Sequence, residues 1–362
     1  MPYYTTMNLP APSYERFREK LSHYESTPRN AIQDFEEALK CFFKVEAVAT
    51  FTNCFTALSM ALLYAVRGRP GTVAVAGLAY RRTTDIVLWA GLRPIYVDNN
   101  PQDLGMSLPV LEEKLKAGGV GCVLMQHPMV KICDPNSYIS LCDKYGVPVV
   151  FDSVEATGGM YEGKRIGGFG MVEGFSLHPS KVINAAEGGV LTFGSAVEHR
   201  AFMSYMRDIG VMAAQGSEMQ FFGLEPLHAM MGLASLDAYP EMRAKFRAHY
   251  MRYRESLQGS ALFRLVEYDQ ETDPNFKSVL VELRASVAGF REELIRHLEA
   301  HNIGARPYYA PLHPMTRSEA LPVAKQLSER YIFLPIGHSV DLADIDFICE
   351  TLLAYPAPRD GG

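Results

Sequence analysis

Short, continuously apolar runs alternate with longer amphipathic stretches through the first half of the chain. The runs are VATF (47–50), TVAVAG (72–77), RPIYV (93–97), CVLM (122–125), VPVVFD (147–152), EGFSL (173–177) and GVLTF (189–193). Between the early runs lie CFTALSMALLYAV, DIVLWAG, LPVLEEKLKAG and SYISLCDKYG, which read as helices. Strands that are apolar on both faces belong to a parallel sheet covered by helices on both sides. The pattern therefore predicts an α/β fold built on a mostly parallel seven-stranded sheet.

Beyond residue 195 the character changes. PLHAMMGLASLDAYPEMRAKFRAHYMRYRESL reads as one long helix that begins apolar and becomes charged, like a helix leaving a core. The remainder reads as a smaller α+β unit: strand KSVLVELR, helix AGFREELIRHLEAHN, the loop ARPYYAPLHP, then helices near 318–330 and 341–354. The expected division lies near residue 240, with a large domain over 1–240 and a small one over 241–362. The final APRDGG reads as a loose tail.

A chain of 362 residues with 48% hydrophobic residues suits two unequal domains. The net charge of -6, with both signs scattered, gives no footprint for nucleic acid. The apolar run ALSMALLYAV is too short to cross a bilayer. The first residues lack the charged start and apolar stretch of a signal peptide. The six cysteines contain no CxxC pair, so buried free thiols in the reducing cytoplasm are expected, with no metal site.

Three segments carry candidate chemistry. In FTNCFTALSMAL a polar turn with Thr52, Asn53 and Thr56 opens a helix. Free N–H groups and the positive dipole end there suit a phosphate, although Thr and Asn also cap helices without any ligand. In VPVVFDSVEATGG, Asp152 ends an apolar strand and should emerge at the carboxyl edge of the sheet, where α/β proteins bind ligands. There it serves either as a helix cap or as the partner of a cationic ring nitrogen. In EGFSLHPSKVINAAEGGVLTF, Lys181 occupies a polar turn between two strands. A partly desolvated lysine loses its proton and can form an imine with an aldehyde. Ser176 ends the preceding strand and could donate to a phosphate, and the glycines of EGG permit a tight turn.

In this order the segments resemble the DegT/DnrJ/StrS family of sugar aminotransferases, which have the aspartate aminotransferase-like fold (type I). FSLHPSKVINAAEGG is close to the family's lysine motif, and FDSVEATGG to the motif that supplies its ring-nitrogen aspartate. LWAGLRPIYVDNNPQDLGMSLPVLEEKL, ARPYYAPLHPM and LPVAKQLSERYIFLP extend the likeness from about residue 28 to 355. The resemblance implies pyridoxal 5'-phosphate as cofactor and assigns roles. Lys181 becomes the imine lysine and proton shuttle, and Asp152 the partner of the ring nitrogen. Ser176 and the amides of Cys54, Phe55 and Thr56 hold the phosphate. Tyr80 lies against the ring, and Glu155 stands near the ring hydroxyl. Tyr308, His313 and Phe221 fall at substrate-side positions. The family also implies a homodimer.

Four residues depart from the family pattern. Phe55 replaces a small hydroxyl residue, Phe221 and Gly223 replace an asparagine and a basic residue, and Glu155 replaces glutamine or histidine. Together they remove about two phosphate hydrogen bonds, worth roughly 1.5–3 kcal/mol each, and make the entrance more apolar. The expected activity is transfer of an amino group from L-glutamate, or a similar donor, to the ketone of a nucleotide-linked deoxysugar. A non-nucleotide cyclic ketone, elimination chemistry and a non-catalytic regulator are the alternatives. The family's sugar dehydratases carry histidine at the position of Lys181, which speaks against elimination.

Overall fold

The computed structural model describes residues 14–211, 222–284, 287, 289–310, 312–317 and 319–356. All seven apolar runs form strands of one sheet. They are β1 (Ala47–Phe51), β2 (Thr72–Ala76), β3 (Arg93–Val97), β4 (Cys122–Gln126), β5 (Val149–Asp152), β8 (Val172–Ser176) and β9 (Gly189–Phe193). A two-residue hairpin, β6 (Met160–Tyr161) with β7 (Lys164–Arg165), interrupts the chain between β5 and β8. The strand order is β1-β9-β8-β5-β4-β2-β3. Only β9 runs against its neighbours in this sheet: it pairs antiparallel with both β1 and β8, and the other pairings are parallel. The strands are buried almost throughout, as continuous apolar runs require.

This topology sends the carboxyl ends of six strands to one edge, where β9 begins. Gly189 lies opposite both Phe51 and Ser176, and Asp152 opposite Gln126 and Gly174. Helix α3 (Cys54–Ala65) starts at that edge and packs on the sheet. A β-carbon at Gly174 would collide with Leu58 of α3, so the close seat of this helix requires glycine on β8.

The long helix Pro226–Leu257 forms as predicted, carries Pro240 in its interior and passes residue 240 unbroken. Its first part packs against helices α1 (Tyr14–His23) and α2 (Asn30–Phe43), its later part against helix Leu342–Leu353 and strand β10 (Phe263–Leu265). A four-stranded antiparallel sheet follows, in the order β10-β11-β13-β12, with β11 Val279–Leu283, β12 Arg306–Pro307 and β13 Tyr331–Leu334. One continuous apolar core runs from the large sheet to the small one. Among the described residues no helix is long and apolar enough to cross a membrane. All six cysteines are free thiols; four are buried, Cys54 is partly buried, and Cys41, contrary to expectation, is exposed.

Candidate active site

Asp152 closes β5 with its carboxylate buried and accepting one backbone N–H, from Val154 at 3.3 Å. Burial pushes the carboxyl up to about 7, aided by the negative charge of Glu155 and opposed by the Val154 N–H and Lys181. A carboxylate so poorly supplied with donors is suited to a cationic partner brought from outside the chain.

The chain then turns through a single 3-10 turn, Val154–Ala156, which aims the buried Glu155 side chain across the site. Glu155 Oε1 lies 2.6 Å from Lys181 Nζ, and Glu155 Oε2 lies 2.9 Å from Lys277 Nζ. Burial alone would raise the Glu155 carboxyl, but the charges of the two ammonium groups and the hydrogen bond from Lys181 outweigh it and hold it down to about 2. Lys181 is nearly buried and Lys277 more so, at 17% and 7% side-chain exposure. Burial lowers the Lys181 amine, yet the attraction of Glu155 wins and keeps it above its usual range. For Lys277 burial and the like charge of Lys181 prevail over Glu155, so its amine is lowered.

Lys181 is presented by the loop between β8 and β9. Leu177 N–H donates to Gly188 O, Ala185 N–H to Leu177 O, and Lys181 N–H to His178 O, closing the loop on itself. His178 Nδ1 accepts from Ser180 N–H, and His178 N–H donates to Ser176 Oγ. The serine hydroxyl accepts inside the protein and keeps its own O–H to donate outward.

At the start of α3, Asn53 caps the helix by accepting the Thr56 N–H at 2.8 Å. Thr56 is thus committed inside the protein. The amides of Cys54 and Phe55, in the first turn, have no intrahelical acceptor. Burial raises the Cys54 thiol, with Asp152 adding to the effect, so it stays neutral. The Phe55 ring turns to Trp89, edge to face at 5.8 Å. Phe221 lies outside the described residues. The next residue, Phe222, accepts the Thr52 N–H through its carbonyl at 2.8 Å.

Tyr80 stands at the start of helix Arg81–Trp89 with its side chain half exposed, and its N–H donates to Gln126 Oε1. Gln126 Nε2 in turn donates to the Tyr309 hydroxyl at 3.4 Å, and the Tyr80 and Tyr309 rings lie 6.2 Å apart. Of the two adjacent tyrosines, Tyr309 is the one in contact with Gln126 and Tyr80. Tyr308, singled out from the sequence, is fully buried and stacks beneath it at 4.4 Å. His313 caps a short 3-10 turn through Nδ1 and places Nε2 3.2 Å from Asp85 Oδ1, so its imidazole is held by protein on both sides.

The sequence reading missed Gln126, Asn275, Lys277 and Tyr309. Asn275 donates to the carbonyls of Glu155 and Thr157 and so fastens the 3-10 turn to the segment before β11. Lys277 had one signal: a carboxylate at position 155 in a buried site demands a cation, and KSVLVELR supplies it at the start of a strand.

The sequence matches the DegT/DnrJ/EryC1/StrS aminotransferase family over residues 13–353. The chain belongs to that family. Among its relatives, the GDP-perosamine synthase of Escherichia coli O157:H7 is 28% identical over 342 residues, covering 91% of this chain and 92% of that protein. The GDP-perosamine synthase of Caulobacter vibrioides is 26% identical, covering 89% of each. The crystal structure of DesI with its TDP-sugar product superposes with a TM-score of 0.83 at 23% identity, over 97% of this chain and 94% of that one. That likeness is one of fold, and it extends through both sheets. In this member of the DegT/DnrJ/EryC1/StrS aminotransferase family, Asp152 and Ser176 end neighbouring strands at one edge of the large sheet, and Lys181 follows in the loop from β8 to β9.

Proposed function

We propose that this aminotransferase moves an amino group from L-glutamate, or a similar amino acid, to the ketone of a nucleotide-linked deoxysugar, using pyridoxal 5'-phosphate. The observation that carries the reading is that a nearly buried amine, Lys181, and a buried, donor-poor carboxylate, Asp152, lie close enough to influence each other's charge beside the open start of α3. The donor set fits the cofactor. Asp152 would hold the ring nitrogen, and Ser176 with the Cys54 and Phe55 amides the phosphate. Lys181 would hold the aldehyde carbon, and Tyr80 would cover the ring. Glu155 would stand at the ring hydroxyl. When bound, pyridoxal phosphate supplies the electron sink that lets a Cα proton leave.

In this reading Lys181 Nζ accepts the proton from the donor's Cα and returns it on the other side of the exchange. Asp152, ionised against the ring nitrogen, keeps that nitrogen protonated. Tyr309 and Tyr80 narrow the entrance, and residues 1–240 and 241–362 act as the cofactor-binding and smaller units. The half-exposed Tyr80 leaves a mouth that a second copy could cover, as a homodimer requires. Free thiols at all six cysteines suit a reducing compartment such as the cytoplasm. The perosamine synthases among the relatives support a sugar ketone.

The test is an assay with L-glutamate and GDP-linked or dTDP-linked keto-deoxysugars, reading 2-oxoglutarate and the aminated sugar together. Equimolar appearance of both with a nucleotide-linked sugar is the expected result. Amination of a free cyclic ketone alone would remove the nucleotide carrier from the reading. Absence of 2-oxoglutarate with every ketone would end it.

A further inference from the structure

Glu155 is shared between two lysines, one oxygen to each. The second of them, Lys277, comes from the segment leading into β11, 96 residues beyond Lys181 in the chain. Burying an ammonium group costs several kcal/mol unless a counter-ion meets it. A chain that needed only a partner for Lys181 had one in Glu155 and would gain nothing by burying another cation beside it.

The placement of Lys277 is built. Asn275 anchors its segment to the carbonyls of Glu155 and Thr157 at 3.1 and 2.9 Å, and Lys277 N–H returns a bond to Asn275 Oδ1. Tyr268, which brackets the same segment, accepts the Ser278 N–H and donates to the Ser278 carbonyl. The amine therefore reaches Glu155 from a fixed backbone.

Building on the aminotransferase reading above, we propose that Lys277 is a positioning residue for the chemistry at Lys181, holding Glu155 ionised through its second oxygen so that the Lys181 amine gives up its proton more readily. An amine must shed its proton before it can attack an aldehyde. With Glu155 as its sole close partner, Lys181 would keep that proton, because an unshared carboxylate favours the charged form. A fixed cation on the far oxygen spends part of the carboxylate's field elsewhere. It also gives Glu155 a second counter-ion, so the carboxylate stays charged and in place when Lys181 is neutral. The other titratable groups facing this cluster are Asp152 from β5, Cys54 from α3, Tyr80 from the following helix, and Tyr268, Tyr308 and Tyr309 from the C-terminal part. Lys277 is the nearest cation to Glu155 besides Lys181.

The experiment uses the full chain without cofactor. Wild type, Lys277→Met, Lys277→Gln and Lys277→Arg are acylated with an amine-directed reagent from neutral to alkaline pH, and modification of Lys181 is read by peptide mass spectrometry. Loss of the charge in Lys277→Met moves the Lys181 midpoint up by about one pH unit, which slows labelling about tenfold below the midpoint. Lys277→Arg keeps the midpoint near wild type. Lys277→Gln, which can still hydrogen-bond the carboxylate, gives the same rise as methionine and decides the matter if the methionine variant does not fold. A midpoint unmoved in the folded glutamine variant overturns the proposal, as does an equal rise in the arginine variant; either would leave Lys277 a purely structural cation. Because no cofactor or sugar takes part, such a failure leaves the aminotransferase reading standing. Shifted midpoints alongside a failed 2-oxoglutarate assay would instead remove that reading alone.

Discussion

Gly189 of β9 and Asn53, the cap of α3, meet backbone to backbone: a β-carbon on Gly189 would stand 2.5 Å from the Asn53 carbonyl oxygen. The same atom would stand 2.5 Å from the Cys54 amide nitrogen. Neither neighbour is a flexible side chain that could give way. Gly189→Ala is expected to destabilise the protein by about 3 kcal/mol, the upper range for an overpacked site. It should also weaken pyridoxal phosphate binding at least about tenfold, because the displaced turn carries the first amides of α3. Urea unfolding and cofactor titration by fluorescence read the two effects. Unchanged affinity would mean the turn holds no phosphate.

Lys181→Ala removes the reacting amine but leaves Glu155 paired with Lys277. The variant should therefore fold, with a far-ultraviolet circular dichroism spectrum like that of wild type. It should lose the visible absorption of the loaded protein, and kcat/KM should drop by at least about 10³-fold, the range seen when an acid–base group is lost. Retention of the visible band would point to another lysine as the attachment point.

Asp152 makes the cofactor-free protein sensitive to pH with a definite sign. Its folded carboxyl titrates near 7 because it is buried, whereas an unfolded aspartate titrates near about 3.9. Between those values the folded state holds a proton that the unfolded state has released, so stability falls as pH rises from about 4 to about 7. Glu173, also raised to about 7 by burial despite its bonds from Ser153, Gly167 and Phe169, acts in the same direction. Asp152→Asn should stabilise the cofactor-free protein at about pH 7 by up to about 4 kcal/mol and leave it little changed near pH 4. It should also weaken cofactor binding. Urea unfolding at the two pH values checks the sign, and a destabilised asparagine variant at neutral pH would contradict it.

The adjacent Tyr308 and Tyr309 should separate stability from activity. Tyr308 is fully buried against Tyr331 and Phe333, so Tyr308→Ala should cost about 3–5 kcal/mol. Tyr309→Phe removes only the hydroxyl that meets Gln126, so its stability should fall by no more than about 1 kcal/mol. Its KM for the keto substrate should rise, because Gln126 also fixes the Tyr80 backbone. Kinetics and thermal unfolding of the two variants, with Tyr308→Phe as a third that keeps the buried ring, check the division; a kinetic effect confined to Tyr308→Phe would reverse the assignment.

The sheet was legible because its strands announce themselves locally as apolar runs too short for helices, and their carboxyl ends placed Asp152 and Ser176 at the same edge. Lys181 was legible through its neighbours in FSLHPSKVINAAEGG. Tyr308 was chosen over Tyr309 because both lie in one loop, and spacing alone does not tell which of two neighbouring rings is buried and which reaches Gln126 and Tyr80; at Tyr309 the backbone is left-handed (φ +46°). Gln126 and Lys277 were hidden because each depends on a partner distant in sequence: the Tyr80 amide for one, the Glu155 carboxylate for the other. His313 read as a substrate contact because a histidine in a proline-rich loop does not reveal that Asp85 and the Met315 amide already occupy both its nitrogens.

The reversed direction of β9 also sets an order of assembly. β8 and β9 are sequential strands that pair directly, so the turn bearing Lys181 closes within residues 172–193. β1, its neighbour on the other side of β9, must wait for a partner distant in sequence, Ala47 against Phe193. Local contacts form early and distant ones late, because the entropy of a long loop must be overcome first. During synthesis β1 leaves the ribosome long before β9 exists, and its hydrogen-bonding edge stays open until then. The loop bearing Lys181 is thus expected to close before the turn at Asn53 is locked against Gly189, and a chain interrupted before residue 193 to leave β1 as a naked apolar strand prone to self-association.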